Sequence, residues 1–478
     1  MRRTRKIQAM SGLSYRGRTG TARAVRHFPR LLAAVALALA AGAAHAWNNH
    51  ALLTWVAAGA IPALAGAPAV RVEPLERFLS AREAEIAALL EREEAWAVGA
   101  LPAYAPRPAA LAFRTGGDPV TRRTRFLRAL RVNPDVRLAA VVQLRPRDAA
   151  GTRALARWQD VTTLSNPGTL VHARFARLSD GESVAPLDVL ATASDEPDWG
   201  LDLGLWADNG TETGGAYGYG RQPYGNPALE FSSQSPFHMA FLHESAIVYA
   251  AAPFLKRTYA QQRIHVFSAL AALALRSGHP YWGWRFAGWA LHYVQDLAQP
   301  YHATVLPGVS VPRMLLVNAL NLLGVRGPMR DAVALVSNRH LALENWAWGR
   351  LGDALRDGRD DDPLVVALRG GDRAQAAGSA DERWVFATVT ARANAAAAGT
   401  DETLERALPA RYVSDPSYVF GETDPDVDLV RQSGALSPQA LRALDAQIAS
   451  LFAELGRHTR TLVGSLPGAA PAPSKASP

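Results

Sequence analysis

Residues 292–302 read His-Tyr-Val-Gln-Asp-Leu-Ala-Gln-Pro-Tyr-His, and this stretch decides both the fold and the candidate site. At 3.6 residues per turn, His292 and Asp296 lie one above the other on one helix face, where two side chains can bind the same metal ion. Pro300 ends or kinks that helix, because proline has no backbone N–H to continue the hydrogen-bond ladder. The chain can then bring His302 back toward the same cavity.

A second pair with the same spacing lies further along the chain. His340 and Glu344 again stand four residues apart on a predicted helix. Two His/carboxylate pairs and a further histidine exceed the needs of one zinc ion, since structural zinc sites use about four protein ligands and catalytic sites about three. His50 is a sixth candidate ligand. The pattern therefore predicts a site for more than one metal ion.

The first 46 residues have the pattern of a secretory signal peptide. They contain nine Lys or Arg and no acidic residue, then an apolar run that ends in Ala44-His45-Ala46. The run is too short to span a bilayer, so we expect cleavage, export to the periplasm or outside the cell, and no transmembrane span in the mature chain. Trp47 becomes the new N-terminus. The remaining 42 basic and 43 acidic residues give the mature chain a net charge of about −1. Its overall charge is therefore no reason to expect binding to nucleic acid.

The rest of the chain predicts an all-α fold with long loop insertions, because it is rich in Ala and Leu with little β-branched alternation. Residues 47–466 form the predicted domain, and the tail, residues 467–478, is predicted to be disordered. The predicted helices are 47–60, 72–96, 237–275, 279–299, 313–324, 331–351, 383–399 and 438–466. Periodicity weakens over residues 99–190, which we interpret as an insertion with a strand near residues 138–144.

Two further segments have alternative interpretations. The Gly/Tyr-rich loop, residues 203–236, predicts exposed tyrosine rings at 217–224 that would contact a substrate headgroup or only solvent. Residues 311–325 are apolar apart from Arg313 and two Asn. They predict either a core helix or a rim segment that touches lipid. The absence of cysteine means that zinc must be bound by His, carboxylates or backbone groups.

These motifs resemble those of the zinc-dependent phospholipase C and S1/P1 nuclease family. The family signature H-x-x-x-D-x-x-x-P-x-H is present at residues 292–302, and the closing H-x-x-x-E or H-x-x-x-D pair is present at His340 and Glu344. Processed chains of the family begin with Trp and carry a His soon after, as Trp47 and His50 do here. The resemblance covers the ligand-bearing segments between about 47 and 351 but not residues 99–190, and it implies a multi-helix phospholipase C/P1 nuclease-like domain.

The resemblance implies two to three zinc ions, and we expect three. The first zinc would be bound by Asp198, His238, His292 and Asp296. The second would be bound by His302, His340 and Glu344. The third would be bound by the amino nitrogen and carbonyl oxygen of Trp47, by His50 and by Asp296 as a shared ligand. The resemblance also gives catalytic roles to Asp198 and Asp296.

Two of these positions have rivals. The family supplies an Asp in a Pro-Asp-aromatic context followed by a His, and the best matches are Asp198 and His238, which lie 40 residues apart. That separation is wider than in compact members of the family. Asp195 or Asp202 is therefore the alternative to Asp198, and His243 is the alternative to His238.

The resemblance implies hydrolysis of a phosphodiester by metal-bound hydroxide, and we expect a phospholipase C that releases diacylglycerol and a phosphorylated headgroup. Glu344 at the end of the last pair, the sequence around residues 296–302 and the apolar segment 311–325 favour phospholipid as the substrate, with transient contact of a membrane surface. The alternative is an S1/P1-type single-strand nuclease or 3′-nucleotidase, for which nucleic acid would be the partner. A helical metal-binding protein without turnover is the alternative from another class.

Overall fold

The computed structural model describes residues 49–370, 380, 383–420, 423, 424 and 427–467. The predicted leader, Trp47 and residues 468–478 of the predicted tail lie outside these residues. Within the described part the chain is mostly helical, which confirms the all-α class. The strands are only two or three residues long. Among the described helices, none combines the length and the apolar character that crossing a bilayer would require.

The described helices vary from one turn to more than eight turns. They are α1 His50–Gly59, α2 Pro62–Ala65, α3 Leu75–Ala81, α4 Glu83–Ala100, α5 Pro119–Leu130, α6 Pro186–Ser194, α7 Glu212–Ala216, α8 Glu230–His238, α9 Ala246–Ala251, α10 Ala260–Arg276, α11 Pro280–Leu297, α12 Pro300–Ala303, α13 Val311–Leu322, α14 Gly327–Asp357, α15 Pro363–Arg369, α16 Ala391–Ala407, α17 Ala410–Val413 and α18 Pro438–Gly464. A π-helical stretch, Val385–Thr390, leads directly into α16.

Helix α11 forms the centre of the domain. Every residue from Tyr281 to Leu297 is buried, as expected for a helix that is apolar on most of its circumference. It packs against α10, α6 and α18, and its Trp and Phe side chains fill the space between them. After Leu297 the chain turns, and Pro300 begins α12 with the Gln299 side chain accepting a hydrogen bond from the Tyr301 N–H. The predicted helix break at Pro300 is therefore confirmed.

Helices α6 and α11 approach each other closely at Gly288. A Cβ atom at this position would lie 2.6 Å from both the Ala193 Cβ and the Leu190 carbonyl oxygen. The close approach brings the chain after α6, which carries Asp198, against the face of α11 that carries His292 and Asp296. Residues 186–190, which we predicted to be the end of the insertion, are thus part of this central packing.

The strands lie within or beside the predicted insertion. They are β1 Val70–Arg71, β2 Val141–Gln143, β3 Leu155–Ala156, β4 Phe175–Arg177 and β5 Ser183–Val184. β1 pairs with β5, and β2, β4 and β3 form an antiparallel sheet in that spatial order. β2 confirms the strand predicted near residues 138–144. Its Gln143 N–H donates to the Thr192 hydroxyl of α6, which fixes the sheet to the helical core.

Several local predictions were wrong. The predicted helix 237–275 is interrupted, since α8 ends at His238 and the short α9 precedes α10, and the predicted loop 203–236 contains α7 and most of α8. The predicted helix 72–96 is two helices, because the backbone leaves helical geometry at Arg82 (φ −128°), whose side chain donates to the Ser277 carbonyl. The tyrosine rings at 217–224 are buried rather than exposed. The Tyr217 hydroxyl donates to the Val132 carbonyl, and the Arg131 guanidinium lies 4.2 Å from the centre of the Tyr219 ring. Hydrogen bonding and cation–π contact make burial of these polar-tipped rings favourable.

We expect the Gly288→Ala substitution to lower the free energy of unfolding by about 1–3 kcal/mol, because the added methyl group forces α6 away from α11. Gly99→Ala is the matched control, since Gly99 lies in α4 and a Cβ there meets no atom within 4 Å. The control should be neutral or slightly stabilising, as alanine favours helix. Urea denaturation followed by circular dichroism measures both. Wild-type stability in the Gly288 variant would contradict close packing at this contact.

Candidate metal centre

The candidate ligands come from segments far apart in the sequence that meet beside α11. Their shared feature is burial in the domain centre. His50 lies at the start of α1, Asp198 follows α6, His238 ends α8, His292 and Asp296 lie on α11, His302 lies on α12, and His340 and Glu344 lie on α14. The described residues form three groups that could hold a metal ion, and these side chains make up all three groups. The fold therefore brings side chains from distant segments into groups that could hold a metal ion.

The first group lies around Asp296. The Asp296 Oδ2 atom is 2.8 Å from His238 Nδ1 and 3.1 Å from His292 Nε2, and these two nitrogens are 2.9 Å apart. Asp198 completes the set, with its Oδ1 atom 3.7 Å from His238 Nδ1 and 3.6 Å from His292 Nε2. Two imidazole nitrogens and two carboxylates thus face one point, as a four-ligand zinc site requires.

The second group joins α12 to α14. The Nε2 atoms of His302 and His340 are 3.1 Å apart, and His340 Nε2 is 2.6 Å from Glu344 Oε1. The i, i+4 pair on α14 and the histidine after Pro300 thus converge as the sequence predicted. Three protein ligands are the number that a catalytic zinc site uses together with one open position.

The third group includes the candidate nearest to the predicted N-terminus. His50 Nε2 lies 3.3 Å from Asp296 Oδ1 and 3.8 Å from Asp198 Oδ2. Asp296 therefore faces His50 with one oxygen and the first group with the other. Trp47 lies outside the described residues, so its role as a ligand is still a prediction. Asn49, two residues later, lines a small cavity together with Glu344.

Hydrogen bonds on the outer side of the imidazoles decide which nitrogen faces the centre. His292 Nδ1 donates to the Ser194 carbonyl, and His302 Nδ1 donates to the His238 carbonyl, each at 2.8 Å. In both rings the Nε2 atom therefore carries the lone pair and points toward the candidate metal centre. Such outer partners fix the tautomer and the orientation of metal-binding histidines.

Two glutamines that the sequence analysis missed also orient ligands. Gln295 Oε1 accepts a hydrogen bond from His50 Nδ1 at 2.9 Å, and Gln299 Nε2 donates to Glu344 Oε1 at 3.1 Å. Both glutamines lie inside the 292–302 motif, next to the candidate ligands. Their position in the sequence could therefore have indicated that they orient those ligands. The Ser194 and His238 carbonyls carried no such signal, because every residue has a carbonyl and only the fold selects these two.

Burial keeps three of the imidazoles neutral. It lowers the pKa of His292, His302 and His340 to about 3, because a charged ring loses its hydration in the domain centre. Neutral imidazole is the form that binds a metal ion. These three rings are therefore in the binding form at neutral pH.

The pKa of the other two imidazoles is raised, because neighbouring carboxylates have a larger effect on it than burial does. Burial disfavours their charged forms, but Asp296 raises the pKa of His50 to about 9, and Asp202 and Asp296 raise the pKa of His238 to about 10. Burial raises the pKa of Asp198 to about 8. Without metal ions, His50, His238 and Asp198 thus hold protons at neutral pH, and metal binding would displace them.

The rival candidates lie outside the three groups. Asp202 forms a buried ion pair with Arg263 and accepts a hydrogen bond from the Tyr293 hydroxyl, while its Oδ2 atom lies 3.6 Å behind His238 Nε2. It therefore orients His238 from the outer side. Asp195 accepts a hydrogen bond from the Ala51 N–H. His243 Nε2 is 2.9 Å from the Thr390 hydroxyl. The geometry favours Asp198 and His238 over these alternatives.

The donor set fits divalent metal ions. Asp296 has no Arg or Lys partner within 4.0 Å among the described residues, so its negative charge is not balanced by a side-chain cation that is always charged. The Nε2 atom of His50 and the Oδ1 atom of Asp296 are buried and have no hydrogen-bond partner there. Orphaned buried polar atoms are costly unless a further group satisfies them. A metal ion at this place supplies both the charge and the missing ligand bonds.

The centre opens to solvent on the side of Asp198. The Asp198 side chain is 17 % exposed, whereas those of His292 and Asp296 are completely buried. The cleft in front of it is lined by Asp198, Phe231, Gln234, Ser235, His238, Met239 and His302. The amide of Gln234 is buried without a hydrogen-bond partner among the described residues. The cleft therefore offers a polar amide and apolar walls to a ligand beside the carboxylate.

We expect Asp296→Asn to reduce the bound metal by more than one equivalent, because its two oxygens face two groups, and His340→Ala to reduce it by about one equivalent. Mass-spectrometric metal analysis of zinc-loaded, dialysed protein measures the content. His243→Ala is the control, since its ring lies outside the groups, and it should retain the wild-type content. Full metal content in the Asp296 variant would show that this carboxylate binds no metal.

Comparison with known proteins identified no relative of the chain. No family model, no curated protein and no solved structure matches the chain. The site is accordingly defined by its own residues: three groups of imidazoles and carboxylates beside α11, and a cleft that reaches them at Asp198.

Proposed function

We propose that this chain is an exported zinc-dependent phosphodiesterase of the phospholipase C type, which releases diacylglycerol and a phosphorylated headgroup. The observation that supports it is that three groups of His, Asp and Glu side chains that could hold metal ions lie next to a cleft, with Asp296 between His50 and the pair His238 and His292. Close metal ions suit in-line displacement at phosphorus, because they can stabilise both the entering and the leaving oxygen. The ligand types, imidazole and carboxylate without thiolate, suit zinc.

The residues of the chain have distinct tasks in this proposal. Asp198, His238, His292 and Asp296 would hold one zinc, His302, His340 and Glu344 a second, and His50 with Trp47 and Asp296 a third. When bound, zinc lowers the pKa of a water molecule from 15.7 to about 7 and polarises the phosphoryl oxygens. Asp198, which reaches the cleft, would also position water there and accept a proton.

The walls of the cleft favour a phospholipid over a nucleic acid. Phe231 and Met239 supply apolar contact, and none of the described residues that line the cleft is Lys or Arg. Grooves for single-stranded nucleic acid combine basic residues with stacked aromatic rings. The S1/P1-type nuclease or 3′-nucleotidase is the second candidate, because it would use the same metal-binding groups.

A metal-binding protein without turnover is the candidate from another class. Di-iron helical bundles bind their metals through Glu-x-x-His pairs spaced i, i+3. The pairs in this chain have the histidine first and are spaced i, i+4, as His340 and Glu344 show. The open cleft at Asp198 also favours turnover, since a structural site would be closed.

We expect the zinc-loaded protein to hydrolyse phosphatidylcholine, and the Asp198→Asn variant to have a kcat about 10²–10⁴-fold lower, because it lacks the carboxylate that accepts the proton. Release of phosphocholine measures the rate, and single-stranded DNA is assayed in parallel. Asp180→Asn is the control, as Asp180 is an exposed residue paired with Arg77. Hydrolysis of DNA alone would replace the proposal with the nuclease, and no hydrolysis by the metal-loaded protein would reject both.

The proposed third zinc site requires a free amino group on Trp47. We expect a chain that retains one extra residue before Trp47 to fold normally but to bind about one zinc fewer, because the α-amine is no longer at the correct position. Metal analysis and circular dichroism, compared with the chain that begins at Trp47, measure these effects. Equal zinc content in both chains would remove Trp47 from the ligand set.

A further inference from the structure

Helix α13 exposes an apolar surface to solvent. Its inward side carries Met314 and Val317, which are buried against α9 and α14. Its outward side, spaced as one helix face requires, consists of Pro312, Leu315, Leu316, Ala319 and Leu323. Leu316 is 59 % exposed and Leu323, the residue that follows the helix, is 81 % exposed. The leucines on the outer side of α13 remain in contact with water, which is unfavourable for apolar side chains. A group of exposed leucines on one helix face therefore indicates a surface that contacts another molecule.

The charges around this surface have one sign. Residues 311–330 contain Arg313, Arg326 and Arg330 and no Asp or Glu. Among the described residues, neither Arg313 nor Arg326 lies within 4.0 Å of a carboxylate oxygen, whereas Arg330 pairs with Asp331. The full chain after residue 46 has almost equal numbers of acidic and basic residues, so this cluster is a local departure. Apolar side chains flanked by guanidinium groups are complementary to a phospholipid surface, in which phosphate groups lie above hydrocarbon chains.

A continuous apolar cluster joins α13 to the cleft. Met314 of α13 packs with Leu306 and Phe241, and Met239, which lines the cleft, packs against the same cluster. Only residues 304–310 separate α13 from α12, which carries His302. The inner side of α13 and the wall of the cleft therefore belong to one apolar cluster.

We propose that α13 docks the protein on the surface of a phospholipid bilayer, with Leu316 and Leu323 inserted among the acyl chains and Arg313 and Arg326 at the lipid phosphates. Lipid as the occupant rests on the proposed function, in which the substrate lies in a bilayer. Amphipathic helices of this kind lie in the plane of the interface, and arginines on them strengthen binding to anionic lipid. Docking would bring the cleft to its substrate without a transmembrane segment.

Vesicle sedimentation with the zinc-loaded protein tests the proposal. The probes are vesicles of phosphatidylcholine alone and of phosphatidylcholine mixed with phosphatidylglycerol. We expect the double variant Leu316→Ser/Leu323→Ser to bind both at least about tenfold more weakly, because two leucine side chains no longer leave water. Arg313→Gln/Arg326→Gln should weaken only the binding to the mixed, anionic vesicles. Val120→Ser is the control, as Val120 is 72 % exposed on α5, and it should bind like the wild type.

The outcomes separate docking from catalysis. Hydrolysis of a monomeric short-chain phosphatidylcholine should be unchanged in the leucine variant, because α13 contributes no ligand to the metal centre. Wild-type vesicle binding by the leucine variant would overturn the docking surface. Self-association that disappears in this variant, with vesicle binding retained, would overturn it in favour of a dimer contact. Vesicle binding by a wild-type protein that hydrolyses no phospholipid would reject the proposed function and retain the docking surface.

Discussion

The rest of the structure depends on the buried carboxylate of Asp296. It lies on the central helix, completely out of solvent, and its described partners are imidazoles rather than Arg or Lys. A buried charge is costly unless it is paired or binds a metal. Its two oxygens face different histidines, so each can contribute to a separate metal ion. This position explains why side chains from α1, α8 and α11 meet at one place.

The domain around this carboxylate keeps the ligands in fixed orientations. The α6–α11 contact at Gly288 brings Ser194 and Asp198 to the histidine face of α11, and the carbonyl of Ser194 then orients His292. Asp202, itself paired with Arg263, lies behind His238. These outer contacts are ordinary packing and backbone interactions. They nevertheless decide which nitrogen atoms and carboxylate oxygens face the centre, and thus which chemistry the proposed zinc ions can support.

The molecule combines a polar, buried centre with an apolar outer helix. The proposed phospholipase reaction needs both, because a phosphate ester must reach the metal ions while its acyl chains remain in a membrane. In the proposed docking surface, Arg313 on α13 and Arg326 just before α14 supply local positive charge, which the nearly neutral chain after residue 46 lacks overall. In this proposal α13 provides attraction to lipid and the metal centre provides hydrolysis.

The sequence by itself determined the helical class, the break at Pro300 and the pairs at i, i+4, because helix periodicity and proline geometry are local properties. The motif spacing also identified His292, Asp296, His302, His340 and Glu344 as candidate ligands, whereas Asp198 and His238 came from the family resemblance with rivals left open. Only the tertiary structure decided between Asp198 and Asp202 and between His238 and His243, because these choices depend on which side chains meet across the fold. It also decided that the tyrosines at 217–224 are buried and that α13 has an exposed apolar side, because long-range packing, rather than local composition, sets burial.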